Sequence, residues 1–192
     1  MIEPEEIYRH LATLETERLI LRKLTLSDLE DVFAYSSDEV VTRHLRWGPH
    51  ETLAQTERYL RDVLEGYREG RDGPWGIEHR ETGKVIGAIH LFSIQPLHKR
   101  AEIGFVLSRD YWKRGLACEA LARVLCFAFE EVGLNRIEGY CLLENRAGER
   151  VMEKAGMQRE GVLWDYVYQK GAFRSFSVYA VLGREWIDRQ DR

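Results

Sequence analysis

Trp112-Lys113-Arg114-Gly115-Leu116-Ala117 sets two cations and a glycine between an apolar run, Glu102 to Ser108, and a stretch of helical apolar spacing. The chemistry this suits is anion binding. A helix start leaves backbone N–H groups unpaired and carries the positive end of the helix dipole, so phosphate oxygens can be held there without a matching side chain. Lys113 and Arg114 add full charges beside it, and Gly115 lets the backbone approach a bulky ligand. The segment lacks Gly-x-x-x-x-Gly-Lys-Ser/Thr for a nucleoside triphosphate and Gly-x-Gly-x-x-Gly for a dinucleotide, so kinase, ATPase and dehydrogenase readings lose ground. What remains is a loop suited to a pyrophosphate that needs no metal.

Other reactive side chains narrow the class further. The six histidines, at 10, 44, 50, 79, 90 and 98, show no metal-ligand spacing, and no metal is expected. Cys118, Cys126 and Cys141 are odd in number without a Cys-x-x-Cys pair, and they read as small buried hydrophobes in a reducing compartment. Met1 to His10 has no apolar secretion core and no run reaches the ~20 apolar residues of a spanning helix, so a cytoplasmic protein is expected. At 192 residues with no linker-like tract, the chain reads as a single domain. A net charge of −4 gives no general attraction to nucleic acid or anionic membrane and tolerates cationic substrates.

The elements that must position the loop follow from periodicity and punctuation. Arg18 to Leu24 reads as a strand, and Ser27 with Glu30 as a capping box opening a first helix. Asp38 to His44 is a short helical stretch, stopped by Trp47-Gly-Pro-His50, where Trp47 is a candidate wall for an acceptor. Thr52 with Gln55 caps a long helix that closes at Gly70. Trp75 to His79 and Val85 to Phe92 form a hairpin about Glu81 to Lys84, and Lys99 to Ser108 is the strand feeding the anion loop. A helix through Val132 ends at Gly133. Arg136 to Leu143 is a strand, Asn145 to Ala155 a helix, and Met157 to Tyr168 and Phe173 to Leu182 a last hairpin. This order specifies a mixed α/β sheet flanked by helices, with a crossover favouring a parallel pair around the loop helix.

Element order and local motifs together resemble the GNAT superfamily of N-acetyltransferases, over about Thr16 to Trp186. The family's loop pattern, Gln/Arg-x-x-Gly-x-Gly/Ala, stands here as Trp112 to Ala117, with tryptophan at its first position. Tyr111 to Ala120, Glu102 to Phe105, Asn145 ahead of Glu153 to Met157, and Glu160-Gly161 before the last hairpin are similar to the branch that acetylates ribosomal-protein N-termini. The resemblance implies a mostly antiparallel sheet of about seven strands with a splayed parallel pair, in one acetyltransferase domain over 1–192. It also implies acetyl-CoA between the strands Lys99 to Ser108 and Arg136 to Leu143, with CoA as product. Phe105 and Leu107 would meet the pantetheine arm through backbone atoms, as a surrogate strand pairing. The loop Trp112, Lys113, Arg114, Gly115, Leu116 and Ala117 would hold the pyrophosphate through its amides from Arg114 onward. Asn145 would bond the pantetheine or adenosine side, and its position equally fits a helix N-cap.

Acetyl transfer to an amine requires a deprotonated amine, a stabilised oxyanion and a proton for the thiolate. A backbone N–H near Leu107 could serve the oxyanion. Glu102 and Asp165 are the candidate bases acting through water, against the plainer reading of each as a solvated charge or cross-strand partner. Two positions where the family often carries a hydroxyl hold Gly148 and Met152 instead. The thiolate proton is then left to Tyr140, to Tyr166 or to water. The acceptor is expected to be a protein N-terminal α-amine, with a polyamine, aminoglycoside or other small amine as the second reading and a cofactor-binding module without turnover as the third. The resemblance also allows a homodimer through the C-terminal strands.

Overall fold

Leu19 and Leu21 are fully buried on β2 (Leu19–Lys23), because a period of two turns alternate residues of a strand to one face. The structure is a computed structural model describing residues 3–190. On one side β2 pairs antiparallel with β1 (Leu14–Glu15), and on the other with β3 (Trp75–His79). β3 turns through Gly83, at φ +66°, into β4 (Lys84–Gln95). The remaining strands are β5 (Arg100–Leu107), β6 (Arg136–Leu142), β7 (Gln158–Gln169) and β8 (Ala172–Leu182). Hydrogen bonding sets the order β1-β2-β3-β4-β5-β6-β8-β7, eight strands where about seven were expected. The additional one is the two-residue β1, too short to carry an alternation signal. β5 and β6 are parallel, from Arg100↔Arg136 to Ile103↔Gly139, while the other registered pairs are antiparallel. A parallel pair needs a crossover, and α5 (Leu116–Cys126) supplies it.

Two compact units divide the chain. Ile2–His90 with Phe105–Arg123 form the first; its helices are α1 (Pro4–Arg9), α2 (Leu29–Ser36), α3 (Glu39–Thr42) and α4 (Leu53–Glu69). Leu24, Leu60, Trp75, Ile77, Ile86 and Ile89 are buried in it. The Thr52 hydroxyl accepts from Gln55 N–H and Gly70 closes α4 at φ +72°, as the sequence signals require. The cap before α2 differs from expectation. Asp28, rather than Glu30, reaches back to accept from Thr25 N–H at 2.7 Å, because the Arg22 guanidinium pins its carboxylate with two hydrogen bonds of 2.9 Å. α1 lay outside the sequence reading, since its polar face hides the buried pair Ile7 and Tyr8.

Leu91–Gly104 with Val124–Arg192 form the second unit. It holds β6, β7 and β8, α6 (Arg146–Lys154) and α7 (Gly183–Gln190). Ile137, Met152, Phe176, Tyr179 and Val181 are among the buried apolar residues of these elements. α5 gives way to a π-type turn at Phe127–Glu131, so the expected regular helix to Val132 changes its winding in its last turn.

Candidate active site

The anion loop is built from two left-handed residues. Lys113 has φ +62° and Gly115 φ +80°, with Arg114 between them, so successive amides curl around one side of the turn before α5 begins at Leu116. Trp112, Lys113, Arg114 and Gly115 are all exposed, and the first-turn amides of α5 have no intrahelical acceptor. Two side chains tie the loop down. Trp112 donates its indole N–H to Leu107 O at 2.7 Å, and Arg18 Nη1 donates to Arg114 O at 2.9 Å. Glu119 on α5 holds Arg18 in turn, accepting from Arg18 Nε at 2.7 Å, from Arg18 N at 2.9 Å and from the Thr16 hydroxyl at 2.6 Å. Burial works against the Glu119 charge, but the bonds from Thr16 and Arg18 outweigh it and hold the carboxyl below its ordinary range. The Arg114 guanidinium lies 5.3 Å from the Tyr111 ring centroid, and Tyr111 packs at 5.3 Å on His79. A cavity of about 240 Å³ opens beside the loop, bordered by Asp31, Lys84, Ser108, Asp110, Tyr111 and Arg114.

Among the described residues, the end of β5 beyond Ile103 has no registered partner in β6. Ser108 N–H donates to Ile86 O at 2.7 Å, so by alternation the N–H and C=O of Phe105 and Leu107 point to the edge away from β4. The parallel register stops at Ile103 while β5 continues to Leu107. Trp112 occupies the Leu107 carbonyl, which leaves the Leu107 amide as the donor facing that edge. Trp47 is half-exposed and rests 5.5 Å from the His50 ring, whose Nδ1 shares a 2.8 Å hydrogen bond with Thr56.

A second cluster forms in the other unit. Glu102 on β5 stands in register with Glu138 on β6, on the same sheet face. Glu138 is 7% exposed and accepts from Arg136 Nε at 2.7 Å, Arg100 Nη1 at 3.1 Å and the Tyr140 hydroxyl at 3.1 Å. Burial opposes its charge, and the Arg136, Tyr140 and Arg100 interactions prevail, so its pKa lies below the usual carboxylate value. Arg136 also grips Glu160 through two bonds of 2.9 and 2.5 Å. Burial, then the neighbouring Glu138, pushes the Tyr140 phenol up to about 12. The Tyr140 and Tyr166 rings are near-parallel at 6.2 Å, and Tyr166 meets Phe176 edge-on at 6.3 Å. Glu102, Tyr140 and Tyr166 therefore come together. Asp165 stands apart in role: it is the bulge residue of β7, at φ +47°, its N–H held by the Ser175 hydroxyl at 3.0 Å and its carboxylate exposed.

Asn145 caps α6, its Oδ1 accepting from Gly148 N–H at 3.0 Å. The two missing hydroxyls are explained by packing. A Cβ on Gly148 would stand 2.7 Å from Asn145 Nδ2 and 2.9 Å from Cys141 Sγ, and a Cβ on Gly139 would stand 2.7 Å from Met152 Sδ. Met152 is 3% exposed and belongs to the core. Arg18, Glu119 and Glu138 escaped the sequence reading because each acts through a partner distant in the chain: Glu119 sits 101 residues from Arg18 and Glu138 38 residues from Arg100.

Residues 18–158 match the acetyltransferase (GNAT) domain family, and the chain belongs to that family of N-acetyltransferases. Among its relatives, "Uncharacterized N-acetyltransferase YoaA" of Bacillus subtilis is 37% identical over 169 residues, 88% of this chain and 96% of that protein. "Putative ribosomal N-acetyltransferase YdaF", also of Bacillus subtilis, is 30% identical over 71% of this chain and 75% of its own length. Spermidine N(1)-acetyltransferase of Vibrio cholerae is 21% identical over 91% of this chain and 98% of its own. The solved structure of a GNAT-family acetyltransferase from Bacillus anthracis superposes with a TM-score of 0.81 at 29% identity, covering 90% of this chain and 99% of that one.

Proposed function

We propose that this chain is a single-domain, cytoplasmic N-acetyltransferase that takes acetyl-CoA as donor and a protein N-terminal α-amine as acceptor. The loop and strand edge fit such a donor. The curled amides at Arg114 to Ala117 suit a pyrophosphate, Lys113 and Arg114 add charge, and the β5 edge presented by Phe105 and the Leu107 amide suits an amide-bearing arm. Acetyl-CoA supplies an activated acetyl thioester and a thiol leaving group. In the second unit Glu102 is the candidate to accept the amine proton through water, and Tyr140 or water would protonate the leaving thiolate; in the first unit the Leu107 amide is the candidate oxyanion donor. Glu102 suits the basic role because, among the described residues, no hydrogen bond or ion pair to its carboxylate is found, whereas Glu138 beside it is saturated by two arginines and a phenol. Asn145 keeps both roles, cap and cofactor contact.

The observation that carries the acceptor assignment is exposure. Trp164 is 75% and Tyr166 52% exposed on β7, which gives an extended peptide an open aromatic surface rather than an acid-lined enclosure. An α-amine also asks less of a base, since its pKa of ~8 leaves a neutral fraction that a ~10 polyamine lacks. The relationship to YdaF supports the same acceptor, and the spermidine-acetylating relative keeps a small amine as the second reading. Incubation with acetyl-CoA and either free-N-terminal peptides or spermidine, followed by mass spectrometry, decides. Peptide α-amine acetylation is expected, and turnover on spermidine alone would overturn the protein acceptor.

A further inference from the structure

We propose that Trp112, Arg18 and Glu119 form a clamp that aims the loop amides at the donor's diphosphate before it arrives, so that they are positioning residues of the donor site. The inference rests on the acetyl-CoA reading above. A planar trans peptide points its C=O and N–H in opposite directions. Because Arg18 Nη1 draws the Arg114 carbonyl to itself at 2.9 Å, the Gly115 N–H is turned to the far side of that peptide, away from Arg18. Arg18 Nη2 would lie 3.5 Å from a Cβ at Gly115, so the guanidinium backs this peptide directly.

The clamp holds because Arg18 is itself fixed. Glu119 takes Arg18 Nε at 2.7 Å, Arg18 Nη2 at 2.5 Å and Arg18 N–H at 2.9 Å, while the Thr16 hydroxyl fills the same carboxylate at 2.6 Å. That pairing also cancels the Arg18 charge, which makes Arg18 a brace rather than a phosphate ligand. At the other end Trp112 ties the loop to the last carbonyl of β5 at 2.7 Å. Between the two ties sits Lys113 at φ +62°, a conformation costing a side-chain-bearing residue about 1 kcal/mol that an untethered loop would leave. The tryptophan at the family's Gln/Arg position thus has a job of its own: its N–H supplies the donor that holds the turn to the strand.

The test measures CoA affinity by calorimetry and kcat/KM on two donors, acetyl-CoA and S-acetylpantetheine, which lacks the diphosphate. Trp112→Phe removes the indole donor and keeps an aromatic ring; Arg18→Met removes the guanidinium and keeps an apolar stem. Each is expected to weaken CoA binding and kcat/KM for acetyl-CoA roughly tenfold, as for one lost charge-assisted or buried hydrogen bond, with a clearly smaller loss on S-acetylpantetheine. Trp112→Gln, which restores a side-chain N–H, recovers most of the loss. Equal losses on both donors, or CoA affinity unchanged in Trp112→Phe, would overturn the clamp. A wild-type chain that neither binds CoA nor turns over acetyl-CoA would overturn the donor reading instead, so the two failures are separable.

Discussion

Gly148 shows how one side chain decides what a neighbour can be. Cys141 donates its thiol to Asn145 O at 3.3 Å and fills the space where a residue-148 side chain would project. Burial pushes that thiol up to about 12, which removes it from nucleophilic chemistry at neutral pH. Gly148→Ser should therefore destabilise the protein by ~1–3 kcal/mol through overpacking, and Cys141→Ala in the same chain should return part of it. Urea melts of the single and double variants check this; a Gly148→Ser melt that coincides with wild type would contradict it. Glu102→Gln tests the chemistry. It should lower kcat by ~10²-fold, the scale of one general base, while the KM for acetyl-CoA stays within about twofold. Glu102 stands out as a candidate from the strand feeding the loop, whereas Glu138 does not, because only strand register reveals that the two glutamates are neighbours.

At the scale of elements, caps and alternation were readable because they are local. Thr52 and Gly70 bound α4 where their residue types say they should, and Asn145 begins α6. The exceptions arose where a distant group competed, as when Arg22 selected Asp28 over Glu30 for the cap before α2. β6 shows the energetic side of such long-range pairing. Glu138, Glu160 and Glu149 all ionise more readily in the fold than in an unfolded chain: burial opposes the charge of Glu138 and Glu149 but their partners prevail, and the Arg136 bond dominates for Glu160. Carboxyls held below their unfolded value of ~4.3 contribute stability that is complete above about pH 5 and lost as pH falls through 4 and below. Glu138→Gln should cost ~1–3 kcal/mol at pH 7, leaving two arginines short of a buried partner, and the gap between the two stability curves should narrow as pH falls below the ordinary carboxylate range. Denaturant titrations from pH 7 downward measure it, and a gap that stays unchanged as pH falls would show that packing, not charge, sets the cost.

For the whole molecule, the proposed donor half of the reaction is compact in sequence and the proposed acceptor half is not. Six consecutive residues form the candidate donor loop, while the candidate acceptor surface is drawn from β7, whose bulge between Leu163 and Val167 re-aims the strand in a way that alternation cannot foresee. That bulge leaves Trp164 and Tyr166 exposed, and a peptide acceptor would use them where a small polyamine would not. The two halves can therefore be separated by experiment. Saturating CoA at 100 times its dissociation constant should stabilise the protein by ~2.7 kcal/mol, a rise of about 5–10 °C in melting temperature for a chain of this size. Trp164→Ala should leave that rise intact, since the residue lies on β7 and not on the loop or on β5. The same substitution should raise KM for an N-terminal peptide roughly tenfold while altering spermidine turnover little, because loss of one exposed aromatic contact removes binding that only an extended acceptor makes. Paired thermal-shift and acceptor kinetics on the one variant give the answer: an unchanged peptide KM would detach β7 from the acceptor, and a lost CoA shift would mean that the substitution acts on the donor side.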